Sequence, residues 1–409
     1  MNKMENPRKS LLKLIYNGVD AAAEFSSKTE SFTYTDVASG EADTLSLTVN
    51  NQDGRWINGF MPEDGDYVEA KIVVENWNKQ GDNRSLSCGM FDLDSFKAVG
   101  FPETCSIKGI TIPIRTGFHT TVKTHVFSNT TTKTILSNIC RDAGITLVYE
   151  SEDYTVQELE QDGKTDMEFA FSLCKTHNLA MKLYNKKMVV YNQTYYENKK
   201  ASYTIDRSEM QNYSYTREKS KFYDSVQIQY TDPNRDETLS YRYTLPGSDG
   251  NRTLFLNEQV DSYQEAEIRA KARLLENLRK AVNISFGVRG DTKHIAARTV
   301  RITGFGKASG IYFIDRVTHS KNAGGAYTCT IKAHLCVTNT GGSKPQSENQ
   351  DKGLQGTRYT VKKGDCLWKL AEKFYGDGTK YKIIYNANKE QIEEEHWIYP
   401  GQVFIIPPA

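Results

Sequence analysis

Near its C-terminus the chain reads Tyr359-Thr-Val-Lys-Lys-Gly-Asp-Cys-Leu-Trp-Lys-Leu-Ala371, and further on it reads Ile398-Tyr-Pro-Gly-Gln-Val-Phe-Ile-Ile-Pro407. These stretches predict a strand, two helices and a second strand, which together define a small module. Apolar residues recur at helical spacing from Leu367 to Phe374, after a Gly-Asp turn. Asp365 is placed to cap the start of that helix. About fifty residues arranged in this way can bury a small core.

This module resembles the LysM domain, which binds N-acetylglucosamine in peptidoglycan or chitin. In that family the glycan contacts come from the loop after the first strand and the loop before the second. The resemblance therefore implies glycan-binding candidates at Gly364, Asp365, Cys366, Leu367, Ile398, Tyr399 and Pro400. Cys366 stands where the family usually has Thr or Ser, and a thiol forms weaker hydrogen bonds than a hydroxyl. Glycan binding and protein docking both remain open as roles for the module.

The composition excludes several classes of function. The 409 residues include 52 Lys and Arg against 51 Asp and Glu, so no basic surface for nucleic acid is predicted. Charged residues make up 25% and hydrophobic residues 38%, which is typical of a soluble globular protein. The 24 tyrosines and abundant threonines favour β-structure. No apolar run approaches the ~20 residues that a membrane-spanning helix needs.

The N-terminal residues and the cysteines suggest where the protein is made. The apolar stretch from Leu11 to Ile15 is short and interrupted by Lys13, which is unlike a signal peptide. We therefore expect synthesis in the bacterial cytoplasm. The seven cysteines are scattered along the chain, which predicts reduced, buried thiols. Cys174 and His177 have ligand-like spacing, but no second ligand pair lies nearby, so we predict no metal and no cofactor.

The pattern of strands and helices divides the chain into five parts. Residues 1–118 and 194–338 have alternating apolar residues at strand length and are predicted to form two β-barrel domains, the second with a helix. Residues 119–193 form a predicted α/β insert. A polar stretch at 339–357 predicts a flexible linker before the C-terminal module at 358–409. The fold class is mainly β with an α/β insert, two barrel-like domains and a small βααβ module.

Three helices of the body carry clear start and stop signals. In the insert, apolar spacing predicts a helix from Thr132 that ends before Gly144, a C-cap candidate. A second helix is predicted from Asp166, with that residue as its N-cap. In the second barrel domain, a long helix is predicted from Ser262 to Lys280, capped by Ser262 or Asp261.

Four segments of the body, taken in order, resemble a known family. They are Ala38–Leu47, Cys88–Asp94, Thr165–Leu183 and Val300–Tyr312. This ordered set is similar to the phage late control D family, the hub proteins of contractile tail baseplates and type VI secretion spikes. The resemblance implies a homotrimeric ring that joins a hexameric tail tube to a spike. The implied partners are the chain itself, the tail tube protein, the spike or puncturing protein and other baseplate proteins.

The sequence therefore predicts a structural hub of a phage tail or phage-derived contractile injection system, located in its baseplate. No catalytic residues are predicted, because no nucleophile motif with a positioned histidine is recognisable. The alternative is a cell-wall hydrolase, since LysM domains commonly accompany such enzymes. A third possibility, a cell-wall adhesin, is disfavoured by the expected lack of a secretion signal.

Overall fold

The structure is a computed structural model that describes residues 6–20, 28–232, 237–260, 262–322, 324–336, 357–362, 365–388, 392 and 402–407. Its contacts separate two compact units, Met1–Gly341 and Gly342–Ala409, here called the body and the C-terminal module. The predicted linker falls outside the described residues, except for Thr357, which begins a strand. The fold is mainly β, as predicted.

The body begins with a series of strands. These elements are β1 (Lys9–Tyr16), β2 (Val19–Asp20), β3 (Thr29–Val37), β4 (Thr44–Asn50), α1 (Arg55–Asn58), β5 (Tyr67–Glu75), β6 (Arg84–Val99) and β7 (Thr104–Ile110). Alternating apolar residues produce this structure, because successive side chains of a strand point to opposite faces. In β4, Leu45, Leu47 and Val49 are buried while the residues between them are half-buried.

The predicted insert contains both helices and strands. Its elements are β8 (Val122–Thr131), α2 (Thr132–Asp142), β9 (Thr146–Glu150), β10 (Thr155–Thr165), α3 (Asp166–Thr176), β11 (Leu179–Tyr184) and β12 (Lys187–Asn192). β8 and β10 form a two-stranded sheet, and β11, β12 and β9 form a three-stranded one. The C-cap of α2 is Ala143 and not Gly144, but Gly144 follows it with a φ of +66°, so the helix ends before Gly144 as predicted.

Asp166 was predicted to cap α3, and this prediction is wrong. The N-cap is Thr165, whose side chain accepts from the backbone N–H of Glu168, while the Glu168 carboxylate accepts from the backbone of Thr165. A capping box needs Glu or Gln three positions after the cap, and Glu168 has that spacing from Thr165. The buried Asp166 carboxylate instead accepts from Lys123, at 2.6 Å, and from Gln161, at 3.0 Å.

The rest of the body returns to β-structure with one long helix. Its elements are α4 (Gln193–Glu197), β13 (Tyr203–Asp206), β14 (Asn212–Arg217), β15 (Ser225–Asp232), β16 (Glu237–Thr244), β17 (Thr253–Leu256), α5 (Tyr263–Ala281), β18 (Val282–Arg289), β19 (Thr299–Thr303), β20 (Gly310–Lys321) and β21 (Thr328–Leu335). Ser262 caps α5 by accepting from the backbone N–H of Glu265, so that prediction is confirmed.

One large sheet joins the two predicted barrel domains. Among the described residues it has thirteen strands, eleven of them in the order β14-β18-β21-β20-β3-β4-β7-β6-β5-β1-β2. The other two are β19, which pairs with β20, and β13, which pairs with β19. The junction is the antiparallel pairing of β3 with β20, in which Val37 lies opposite Arg316. One core cluster contains Tyr34 and Phe91 from the first half and Phe286 and Ile331 from the second. The boundary between the two barrel domains therefore stays a prediction.

The C-terminal module has the predicted βααβ order. Its elements are β22 (Thr357–Thr360), α6 (Leu367–Tyr375), α7 (Tyr381–Ala387) and β23 (Val403–Ile406). The two strands pair antiparallel, with Thr360 opposite Val403. Leu370, Ala371 and Ile384 pack with the inner residues of the strands to form its core. Gly376 ends α6 with a φ of +68°, a conformation that glycine adopts readily.

Candidate functional site: the module loop, the buried polar clusters and the sheet edge

The carboxylate of Asp365 joins residues on both sides of the turn that follows β22. Asp365 Oδ2 accepts from the backbone N–H of Lys362 at 2.8 Å and from the Tyr359 hydroxyl at 2.9 Å. The bond from the Lys362 N–H and that from Tyr359 hold the pKa of Asp365 below its usual value. Because these donors occupy its carboxylate, Asp365 does not cap α6, contrary to the sequence prediction. The N-cap position belongs to Cys366, whose side chain makes no capping bond.

The structure places part of the predicted glycan site. Asp365 and Cys366 are half-buried on the loop, and Cys366 alone among the seven cysteines is not fully buried. Leu367 is 4% exposed and packs in the core of the module, so its side chain does not face solvent. Gly364 and the segment Ile398–Pro400 lie outside the described residues. The glycan site therefore stays a prediction.

An aromatic side chain next to this loop was not assigned to the predicted site. Trp368 is 50% exposed on α6, and its ring lies 6.2 Å from that of Tyr381, centroid to centroid. Gly378 packs so closely that a Cβ atom there would lie 2.2 Å from Trp368 Nε1. A half-exposed indole two residues after Cys366 offers a flat apolar surface beside the loop. In the sequence, Trp368 falls outside the apolar face of the helix, and this position could have identified it as an exposed residue.

The body contains a cysteine–histidine contact that the sequence did not reveal. Cys329 and His319 face each other across the β20–β21 ladder, with Cys329 Sγ 3.2 Å from His319 Nδ1. Both residues are fully buried. Burial raises the pKa of Cys329 to about 12 and lowers the pKa of His319 to about 4, so the pair is a neutral thiol and a neutral imidazole. A cysteine nucleophile needs a thiolate that a substrate can reach, so this pair is part of the core.

A buried cluster of charges fastens the insert to the large sheet. Lys182 Nζ, from β11, lies 2.5 Å from Asp36 Oδ1 and 3.0 Å from Asp43 Oδ2, and it donates to the Val37 carbonyl at 2.7 Å. Asp43 also accepts from the Val37 N–H at 2.8 Å. Burial raises the pKa of Asp43 to about 7, although the charge of Lys182 acts in the opposite direction. Because every member has partners, the cluster is a structural joint.

A second buried cluster joins α4, α5 and β21. Glu197 Oε1 lies 2.5 Å from Arg279 Nε and 3.1 Å from His334 Nε2, while His334 Nδ1 lies 2.8 Å from Asp315 Oδ1. Burial opposes the charged form of His334, but Asp315 and Glu197 outweigh it and raise its pKa to about 9. Arg279 also donates to Asn178 at 2.7 Å. The cluster holds the long helix against the insert.

The large sheet presents an edge on which another chain could assemble. β14 is the last strand of the described sheet and pairs on one side only, with β18. Most of its residues are exposed, including Tyr213, which is 48% exposed. The unpaired N–H and C=O groups of such an edge can accept a strand from another protein. Among the described residues there is no cluster of metal-binding side chains, and no helix is both long and apolar enough to cross a membrane.

Comparison with known proteins defines the class of each unit. Residues 359–407 match the LysM domain family, so the C-terminal module is a LysM domain. Over 58 residues the chain is 50% identical to an uncharacterized protein of Bacillus subtilis, a stretch that covers 12% of this chain and 26% of the relative. The match thus spans about a quarter of that relative's length.

Two solved structures show the fold of the body. The 43 kDa tail protein of prophage MuSo2 from Shewanella oneidensis is 14% identical with a TM-score of 0.60, over 81% of this chain and 100% of that protein. A type VI secretion component of E. coli, described as similar to phage T4 tail proteins gp27 and gp5, is 12% identical with a TM-score of 0.51, over 79% of this chain and 76% of that one. The chain therefore shares its fold with a phage tail protein and a type VI secretion component.

Proposed function

We propose that this chain is a structural hub of the baseplate of a phage tail or a phage-derived contractile injection particle, joining the tail tube to the spike. The observation that carries this proposal is the match of its fold to the whole length of a prophage tail protein. The same fold in a type VI secretion component supports an injection particle more generally. The partners are the tail tube protein, the spike protein and other baseplate proteins. Synthesis in the bacterial cytoplasm, followed by assembly there, fits this role.

The hub acts as a homotrimer in this proposal. Two β-rich halves joined in one sheet, repeated in three chains, would provide six comparable surfaces for a hexameric tube. The exposed edge of β14 is one surface through which a neighbouring chain could pair. We expect native mass spectrometry of isolated baseplates, or a reconstruction of the particle, to count three copies around the axis. Six copies, or a position away from the axis, would contradict the proposal.

The LysM domain gives the hub a second role, which we propose is weak binding of N-acetylglucosamine polymers. We expect Cys366→Thr to increase the affinity of the full-length chain for chitin oligomers by up to about tenfold. A hydroxyl forms a stronger hydrogen bond than a thiol, and one such bond is worth about 0.5–1.5 kcal/mol. Titration calorimetry with chitin and muropeptide oligomers measures this change.

Cys366→Val is the matched control for that substitution, because valine has the shape of threonine without the hydroxyl. It should bind no better than the wild-type chain, and thermal melting should show that both variants remain folded. If neither the wild-type chain nor Cys366→Thr binds either oligomer, the docking of another baseplate protein becomes the favoured role for this domain.

We propose further that the chain does not hydrolyse the cell wall. The buried Cys329–His319 pair is neutral and inaccessible, and the charges of Lys182, Asp36 and Asp43 are engaged in a structural joint. We expect the purified chain to release no soluble muropeptides from purified sacculi, in an assay where lysozyme serves as the positive control. Release that a single carboxylate substitution abolishes would favour a hydrolase instead.

A further inference from the structure

The tip of one hairpin exposes apolar residues to solvent. Beyond the last pair of the β6–β7 ladder, Val99 with Thr104, the chain turns through residues 100–103. Residues 98–102, Ala-Val-Gly-Phe-Pro, are all exposed, and Phe101 is 96% exposed. No heavy atom lies within 4 Å of where a Cβ of Gly100 would be, so the tip is surrounded by open space. A run of exposed apolar residues is unfavourable in water unless another surface covers it.

A separate part of the body has an apolar cleft of matching size. It has a volume of about 210 Å³ and is lined by Phe222, Tyr223, Leu245, Leu278, Val282 and Leu335. Apart from the buried Val282, these side chains are half-buried, so solvent reaches the cleft. The cleft lies where α5 and the sheet of β15–β17 meet the large sheet. A phenylalanine side chain is small enough to enter a space of this volume.

Each of the two surfaces carries one positive and one negative residue that could pair with its opposite on the other surface. Lys97 and Glu103 flank the hairpin tip, and neither has an ion-pair partner among the described residues. Asp224 and Arg252 line the cleft, with Arg252 exposed at its rim. An inserted tip would bring a lysine and a glutamate near an aspartate and an arginine. Such pairs at a rim contribute mainly to orientation and specificity.

We propose that the β6–β7 hairpin tip of one copy inserts Phe101 into this cleft of the next copy. A contact between two different surfaces of the same chain is heterologous, and repeated contacts of this kind close into a ring when the rotation allows it. The inference rests on the proposed trimeric hub and adds the contact that would hold its ring together. The occupant of the cleft is thus a second copy of this chain.

Photo-crosslinking from the tip identifies the surface that receives it. The full-length chain carries benzoylphenylalanine at position 101 and is assembled into particles in place of the wild-type chain. We expect covalent dimers and trimers of this chain, with the crosslinked peptide falling within residues 222–252 or at Leu278. Crosslinks to a different protein, to another region of this chain, or to nothing at all would each overturn the inference. If any of these negative outcomes were found in particles that hold three copies on the axis, the insertion would be wrong but the proposed hub function would stand. A copy number other than three would contradict the proposed hub function.

Two sets of variants test the energetics in the full-length chain. Phe101→Ser should weaken self-association roughly 10- to 100-fold, since a buried phenylalanine contributes about 1.5–3 kcal/mol. Phe255→Ser is the matched control, because Phe255 is likewise an exposed phenylalanine, at 70%, but it lies on β17, outside both surfaces. Equal effects of the two substitutions, or no effect of the first, would contradict the insertion.

A charge exchange tests the same contact without altering the apolar residues. Glu103→Arg and Arg252→Glu should each weaken association by up to about fivefold, and the double variant should recover most of the loss. Recovery supports a contact between these two residues in different copies. Additive losses in the double variant would overturn this placement of the tip.

Discussion

A Lys182→Met variant is expected to lose about 3–5 kcal/mol of the free energy of unfolding of the body. Lys182 neutralises two carboxylates, of which Asp43 is fully buried and Asp36 is 6% exposed in the side chain. Methionine preserves much of the volume but leaves both carboxylates without their cation. Because a buried, unpaired charge is costly, this loss should exceed that of ordinary surface changes. Denaturant unfolding followed by circular dichroism measures it.

Lys187→Met is the matched control, since Lys187 is exposed at the start of β12, a few residues along the same hairpin. It should change the free energy of unfolding by no more than about 0.5 kcal/mol. Adding Asp43→Asn to Lys182→Met should recover part of the loss, because the amide removes the charge that was left buried. A loss below 1 kcal/mol for Lys182→Met would show that the cluster does not fasten the insert.

The second large effect is expected on acidification. Burial lowers the pKa of His177 to about 4, of His294 to about 3 and of His319 to about 4, whereas an unfolded histidine titrates near 6.5. The unfolded chain therefore binds more protons than the folded chain as the pH falls below 6.5. The stability that these residues contribute is present above pH 6.5 and is lost between about pH 6.5 and 3.

Two other groups modify this profile. Asp43, with a pKa raised to about 7, takes up a proton in the folded state as the pH falls, and so offsets about one of the three histidines. His334, with a pKa raised to about 9, contributes stability that is complete below pH 6.5 and is lost as the pH rises towards 9. The net uptake of about two protons predicts a fall of about 3 kcal/mol per pH unit near pH 5.

Unfolding curves at pH 7, 6, 5 and 4 test this slope. His177→Gln should reduce it by about one proton, because the glutamine amide can still donate to the Leu173 carbonyl that His177 Nδ1 contacts at 3.2 Å. A stability that stays constant from pH 7 to 4.5, or an equal slope in His177→Gln, would argue against buried neutral histidines as the cause.

Local patterns predicted the elements of the module and of the insert well. The spacing from Leu367 to Phe374 defined α6, α2 ended before Gly144 as expected, and Ser262 capped α5. Each of these features depends on residues within about one helical turn of each other, which a single sequence displays directly. The two predicted caps, Asp166 and Asp365, were wrong for different reasons. Thr165 accepts from the backbone N–H of Glu168 and so takes the capping role at α3. The carboxylate of Asp365 accepts instead from Tyr359 and from the backbone N–H of Lys362.

The candidate site was predictable only in part. The resemblance to LysM pointed to Asp365, Cys366 and Leu367, and the structure places the first two on a half-buried loop. It also turns the Leu367 side chain into the core and leaves Trp368 exposed beside the loop. Which side of a helix faces the core depends on the strands that cover it, and one of these strands, β23, follows about thirty residues after the helix.

The sequence by itself determined the mainly β class, the α/β insert, the βααβ module and the positions of most helices, because these follow from short-range periodicity and turn residues. Only the tertiary structure decided that β3 pairs with β20, that Lys182 lies between Asp36 and Asp43, and that Cys329 faces His319. Pairing between strands almost three hundred residues apart leaves no local signature. A buried charge becomes recognisable only when the fold has brought its partners around it, since the cost of burying it depends on the whole environment.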